Sequence, residues 1–241
     1  MLTKNFENVK YFLTLDEATR AHIVNGNSKL GKGIYTFNLL PGDTPLTLAD
    51  GTQLTNISGS CGGCCSSCKN ACYAINDAKR YNTTVIPSTG DNTLLARYAL
   101  DELFHQINAF VSFNVVSVIR LHSSGEFLSY SYFLKWVEFA KNHPEIKIYT
   151  YTKRYNYLDM FFSDGGELPE NFIINVSIWH NSGVNNWNLP EFIYDDGAED
   201  LGGVVHCPAV DKNGNKTGIT CANCRRCFTA KNGTKTAVYA H

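Results

Sequence analysis

Two hydrophobic rhythms alternate along the chain between residues 113 and 210. Phe113 to Leu121 (F-N-V-V-S-V-I-R-L) is rich in β-branched residues and reads as a buried strand. Ser129 to Asn142 (S-Y-S-Y-F-L-K-W-V-E-F-A-K-N) repeats its apolar residues at helical spacing and stops just before Pro144. Ile146 to Thr152 predicts a strand, Tyr157 to Phe162 a short helix ended by Asp164-Gly165-Gly166, Phe172 to Trp179 another strand, and Gly203 to His206 a short one. The flanks extend the rhythm. Gly33 to Leu40 resembles a first strand closed by Pro41-Gly42, residues 70–81 and 91–110 have helical composition with Asp91 as an N-cap, and Thr236 to Ala240 predicts a last strand. Six strands alternating with helices predict a parallel sheet in a single α/β domain over residues 1–241, built as a partial (β/α)6 barrel or an open doubly wound sheet.

In either architecture ligands gather at the carboxyl ends of the strands. Those ends are polar here: Arg120-Leu121-His122-Ser123-Ser124-Gly125-Glu126, Thr150-Tyr151-Thr152-Lys153-Arg154, Ser177-Ile178-Trp179-His180-Asn181 and His206-Cys207-Pro208. Polar residues also follow strands simply because loops are wet. His122 and Glu126 stand out as a pair, and with Lys153 and His180 they form the predicted catalytic rim.

Composition narrows the chemistry. A chain of 241 residues buries roughly 70–75 % of its unfolded surface in one large domain and needs no disulfides to hold a core. Its 44 % hydrophobic and 18 % charged residues exclude disorder, and 21 basic against 22 acidic residues leave no global field for nucleic acid or a membrane surface. The first residues lack the basic start and apolar run of a signal peptide, and nothing later approaches ~20 uninterrupted apolar residues, so the expectation is a cytosolic protein with reduced thiols and no membrane contact.

Nine cysteines lie in two groups, Cys61, Cys64, Cys65, Cys68 and Cys72, then Cys207, Cys221, Cys224 and Cys227. The odd number argues against a disulfide framework, and short spacings are what metal ligation requires, since several thiolates must reach one centre. The first group contains two frames on a Gly- and Ser-rich loop that runs into a helix near residue 70. Cys61, Cys65 and Cys68 form C-x3-C-x2-C, the spacing by which radical-SAM enzymes hold three corners of a [4Fe-4S] cluster. Cys61, Cys68 and Cys72 form C-x6-C-x3-C. In the second group, a metal-binding segment over residues 207–228, Cys221, Cys224 and Cys227 form C-x2-C-x2-C, and Cys207 precedes Pro208. The bacterial ferredoxin run has the same core but places its Cys-Pro after it. Zinc is the competing metal at both groups, because C-x2-C pairs serve it equally well.

The stretches G-N-S-K-L-G-K-G-I-Y-T-F-N-L (26–39), C-Y-A (72–74), R-L-H-S-S-G-E-F (120–127), W-V-E-F-A (136–140), Y-T-Y-T-K-R (149–154) and C-A-N-C-R-R-C-F (221–228) together resemble the phage gene-product-88 family. The resemblance implies a phage-encoded iron-sulfur protein in the host cytosol, with Cys61, Cys68 and Cys72 as the shared triad, and implies no particular reaction. A further similarity is to radical-SAM barrels, which place a Gly-Gly-Glu-like segment after the second strand to meet the amino group of S-adenosylmethionine. Ser124-Gly125-Glu126 stands at the corresponding place, with Ser for the first Gly and Phe127 for the usual Pro. These similarities imply a partial (β/α)6 barrel like the radical-SAM fold, with one or two [4Fe-4S] clusters, S-adenosylmethionine bound by Ser124, Gly125 and Glu126, and a substrate of unknown identity.

Two other readings remain in view. Gly26 to Gly33 nearly matches a phosphate-binding loop, but Gly33 replaces the Ser or Thr that ligates magnesium, and a strand follows instead of a helix. Arg225 and Arg226, with Lys212, Lys216, Lys231 and Lys235 nearby, form a local basic patch. The alternative function is therefore a non-catalytic iron-sulfur or zinc protein that binds nucleic acid or a host protein through that patch.

Overall fold

The computed structural model describes residues 19–42, 46–47, 53–54, 59–62, 64–180 and 182–239. The N-terminal stretch 1–18, Asn181 and Ala240, on which expectations above fall, lie outside the described residues. Strands β1 (Ile23–Asn25) and β2 (Ile34–Phe37) form an antiparallel pair, while β3 (Leu46–Thr47) and β4 (Gln53–Leu54) form a small ladder of their own. Helices α1 (Ser66–Asn70), α2 (Tyr73–Arg80), α3 (Val85–Tyr98) and α4 (Leu100–Phe113) follow. Then come β5 (Val118–Leu121), α5 (Tyr130–Asn142), β6 (Lys147–Thr152), α6 (Tyr155–Ser163), β7 (Phe172–Ile178), β8 (Glu191–Asp195) and β9 (Val205–His206). Helix α7 (Cys221–Cys224), a 3-10 turn (Arg226–Phe228) and β10 (Lys235–Tyr239) complete the order.

Eight strands form one sheet in the order β1-β2-β5-β6-β7-β8-β10-β9, parallel except for the β1–β2 pair. From β2 to β8 each new parallel strand is laid beside its predecessor, as successive β-α units do when each crossover returns the same way. The order reverses once, where β10 inserts between β8 and β9.

Side-chain alternation gives the sheet two unlike faces. Phe37, Ile119, Leu121, Ile148, Ile174 and Val176 point into the main core, packed with Leu103 and Phe104 of α4, Trp136 and Phe139 of α5 and Leu158 and Phe161 of α6. The residues between them, Ile34, Val118, Tyr149, Tyr151 and Ile173, face a smaller cluster formed with Leu30, Phe228, Cys221 and Cys227. Period-2 alternation thus assigns helices to one face and the second cysteine segment to the other.

Several boundaries differ from the sequence expectation, each for a physical reason. Phe113 ends α4 instead of opening a strand, and Val115 is 91 % exposed, because the ladder to β2 begins only at Ile34↔Val118. Asp91 lies inside α3 and caps nothing; it meets His22 at 2.8 Å. The early turns of α3 carry Pro87, tolerated in a first turn whose N–H groups have no intrahelical partner, and Thr89, Asn92 and Thr93 are buried. Asn92 bonds the backbone of both His22 and Asn38, and Thr93 accepts from Leu40 N–H, so a polar helix face clamps the ends of β1 and β2. The residues expected as one helix over 70–81 divide into α1 and α2 at Ala71-Cys72. Strands β1 and β8 were not foreseen; the latter, E-F-I-Y-D, turns only Ile193 toward the core side while Phe192 and Tyr194 line the opposite face.

Candidate functional site

Strand β6 supplies the spine of the site. Its cavity-facing positions continue past its end as Tyr149, Tyr151 and Lys153; Tyr151 meets the Cys227 thiol and Lys153 the Cys68 thiol, while the buried Tyr149 hydroxyl has no hydrogen-bond partner. Neighbouring β5 places Arg120 beside Tyr149 in register, and the Arg120 guanidinium lies 5.1 Å from the Tyr151 ring centre. Lys153 sits 5.1 Å over the Trp179 ring, which in turn stacks on Tyr194 at 3.9 Å. Burial drives the Lys153 pKa down, but the Cys68 thiol and Glu126 carboxylate outweigh it and hold the ammonium above its usual range.

Cys61, Cys64, Cys68 and Cys72 line the cavity from one side. Burial is the chief cause that lifts the Cys61 thiol to about 12, with Glu126, Cys64 and Cys72 adding to it against a hydrogen bond from the Gly42 backbone. Cys68 is also raised by burial, against the pull of Lys153. Cys65 does something else. It is the N-cap of α1, its sulfur accepting from Cys68 N–H at 3.5 Å, and it does not line the cavity. Tyr73, at the start of α2, donates its hydroxyl to Ser123 O and so ties this cysteine loop to the segment after β5.

Cys207, Cys221, Cys224 and Cys227 line the same cavity from the other side. Cys207 follows β9 directly, and its N–H bonds Ala237 O of β10 at 2.7 Å. Thr220 caps α7, and Arg225, in the left-handed region at φ 62°, turns the chain into the 3-10 segment that carries Cys227. The glycine-rich loop between β1 and β2 receives this segment. Cys221 N–H donates to Lys29 O and Ala222 N–H to Leu30 O, at 3.0 and 2.8 Å. A Cβ on Gly31 would meet Ala222 Cβ and Thr220 Oγ1 at 3.0 Å, so the glycine permits the close approach. The near-match to a phosphate loop is therefore a hairpin loop that docks the C-terminal cysteines. Burial, foremost, raises Cys227 to about 11, and Tyr151 donates to it.

The segment after β5 forms the floor. His122 has φ 56° and is 5 % exposed; its Nε2 lies 3.0 Å from the Tyr132 hydroxyl, and its buried Nδ1 has no partner. Burial pushes its pKa down to about 3, so it is neutral at pH 7. Ser124 donates its hydroxyl to Leu39 O. Glu126, also buried, accepts from Phe127 N–H, Thr152 hydroxyl and Lys153 N–H at 2.8, 2.9 and 2.9 Å. Three of roughly four acceptor positions on its carboxylate are thereby filled by the scaffold. His180 is half-exposed, 3.7 Å from Glu199, and lines a neighbouring cleft that shares the Trp179–Tyr194 stack, not the cysteine cavity.

Of the residues expected on the rim, the structure brings together eight cysteines, His122, Ser124, Gly125, Glu126 and Lys153. It adds Lys29, Arg120, Tyr149 and Tyr151, which the sequence reading had not singled out as site residues. The available signal was the alternation on β6, where every second residue beyond Ile148 is aromatic or cationic. None of the nine cysteines forms a disulfide, and among the described residues no group of three or more His, Cys, Asp or Glu side chains is gathered closely enough to hold a metal ion as it stands. Among the described residues no helix is long and apolar enough to cross a membrane.

The model of one protein family, described as gene product 88, matches residues 20–230. No curated protein and no solved structure matches the chain.

Proposed function

This chain belongs to the gene product 88 family, and from that premise we propose that it is a phage iron-sulfur protein, active in the host cytosol as a radical-SAM-like enzyme on a substrate held between its two cysteine groups. The observation that carries the proposal is that eight thiols from opposite ends of the sequence line one cavity. The donor set fits an iron-sulfur group in kind: only sulfur ligands, with Lys153 beside Cys68 on the cavity wall to offset thiolate charge. Three thiols of the set Cys61, Cys64, Cys68 and Cys72 would hold a first cluster with one iron left open, and Cys207, Cys221, Cys224 and Cys227 would hold a second. When bound, such a cluster supplies one-electron chemistry to S-adenosylmethionine.

The chain's own residues then have definable work. Tyr151 and Lys153 donate to thiols and favour their anionic form. His122, neutral and buried, leaves an open Nδ1. Glu126 retains about one free acceptor position beside the first cysteine group, which suits the ammonium of an amino-acid cofactor. The sequential order of β2, β5, β6, β7 and β8, with helices on one face, supports reading the sheet as the partial barrel of that enzyme class.

A second reading rests on the docking of α7 against the β1–β2 loop. There the second group serves as a structural zinc or iron-sulfur staple in a non-catalytic protein that contacts nucleic acid or a host protein. Anaerobic purification with iron, sulfide and zinc analysis separates the two. The proposal expects ~8 Fe for two [4Fe-4S] groups, and a paramagnetic resonance signal altered by S-adenosylmethionine in the wild type but unaltered in Glu126→Ala. Zinc without sulfide would overturn it.

A further inference from the structure

The cavity carries cations that its own carboxylate does not answer. Among the described residues Glu126 is the sole acidic side chain on its wall, and its oxygens already serve Phe127 N–H, Thr152 and Lys153 N–H. Against it stand Lys29, Arg120, Lys153, Arg225 and Arg226. Two of these are engaged locally: Arg226 donates to Thr236 and to Lys235 O, and Lys153 to Cys68. Arg120 differs. Its Nε is buried without a hydrogen-bond partner, and among the described residues no carboxylate lies within ion-pair distance of its guanidinium.

A guanidinium stays charged at any ordinary pH, so the cost of leaving its fork of donors unfilled is not relieved by losing a proton. Lys29 compounds the imbalance. It lines the same cavity wall as Arg120, and no carboxylate among the described residues pairs with it. Tyr151 offers Arg120 a ring face but its hydroxyl meets Cys227, and the Tyr149 hydroxyl beside Arg120 is itself buried without a hydrogen-bond partner. The group that fits an unfilled planar fork with a second cation alongside is a planar or tetrahedral oxyanion.

We propose that Arg120, with Lys29 beside it, is an oxyanion receptor, and that the substrate of this cavity carries a carboxylate or phosphate group. This rests on the reading of the cavity as the place where chemistry occurs, though not on which metal the cysteines hold. It assigns a substrate class and an orientation: the anionic end lies toward β5 and the β1–β2 loop, the reacting end toward the first cysteine group.

The test is calorimetric titration of the full-length protein, purified anaerobically with its metal in place, against inorganic phosphate and, separately, succinate at low ionic strength. Saturable binding of either probe is expected, and the one that binds names the group. Arg120→Lys keeps the charge but loses the fork and should weaken binding about tenfold, Arg120→Gln should abolish it, and Lys141→Gln, an exposed cation on α5 outside the cavity, should leave it unchanged. Iron and sulfide are measured on every sample, so loss of the cluster is read apart from loss of anion binding. Absence of binding by both probes to metal-replete wild type would overturn the proposal. So would unchanged binding in a folded Arg120→Lys protein that has lost its iron, which would assign Arg120 to the cluster instead.

Discussion

Gly125 and His122 are the two residues after β5 whose backbone lies in the left-handed region, at φ 87° and 56°. A Cβ on Gly125 would stand 2.5 Å from Ser60 Oγ and 2.6 Å from Leu39 Cβ, so neither the dihedral nor the space admits a side chain. Gly125→Ala is expected to lose about 2–3 kcal/mol of stability in urea denaturation; an unchanged midpoint would refute the packing argument. His122 gives a pH signature. Its pKa is depressed by burial in the folded state, so between pH 6.5 and about 3 the unfolded chain binds the extra proton. Stability from this residue is therefore complete above pH 6.5 and is lost as pH falls toward 3, at up to about 1.4 kcal/mol per pH unit. Denaturation midpoints from pH 7 to 4.5 should fall less steeply in His122→Asn than in wild type.

At the scale of elements, β6 and the residue just past its end join the two cysteine groups through one face, with Tyr151 serving one group and Lys153 the other. Hydrogen bonds to cluster sulfurs stabilise the more negative, reduced state. On the iron-sulfur reading, Tyr151→Phe should lower the midpoint potential of the second centre by on the order of 60 mV, one charge-assisted hydrogen bond at one electron. The first centre should not move. Potentiometric titration followed by paramagnetic resonance checks both values, and a shift at the first centre alone would contradict the ladder. Strands such as β6 and β7 and the helix α5 were legible because their residues repeat at 2.0 or 3.6 over a whole element, and Ser129 caps α5 through Tyr132 N–H. Helix α3 was not legible over its first turns, because its buried face is Thr89, Asn92 and Thr93, chosen for hydrogen bonds to distant backbone and not for hydrophobicity. Strand β8 was hidden for a related reason: its two aromatic side chains, Phe192 and Tyr194, serve the cavity, and cavity walls have no period of their own.

For the molecule as a whole, the cysteine spacings announced two groups but not that they share a cavity, since that depends on the β1–β2 loop receiving α7 across nearly the full length of the sequence. Nor did spacing reveal that Cys65 turns aside to cap α1 while Cys64 reaches the cavity. Iron analysis should show this division: Cys64→Ser lowers the iron held by the first group, and Cys65→Ser leaves it intact while costing α1 about 1 kcal/mol at most. Iron loss in Cys65→Ser would restore the C-x3-C-x2-C frame. Strand β9 finds its partner in β10 alone, and Cys207 is positioned by a bond to Ala237, so the sheet's far edge is laid down out of sequence. A nascent chain must therefore wait for its latest strand before Cys207 has a fixed address, and on the iron-sulfur reading any cellular machinery that delivers iron to the second group would meet a competent acceptor only after the ribosome has finished with Tyr239.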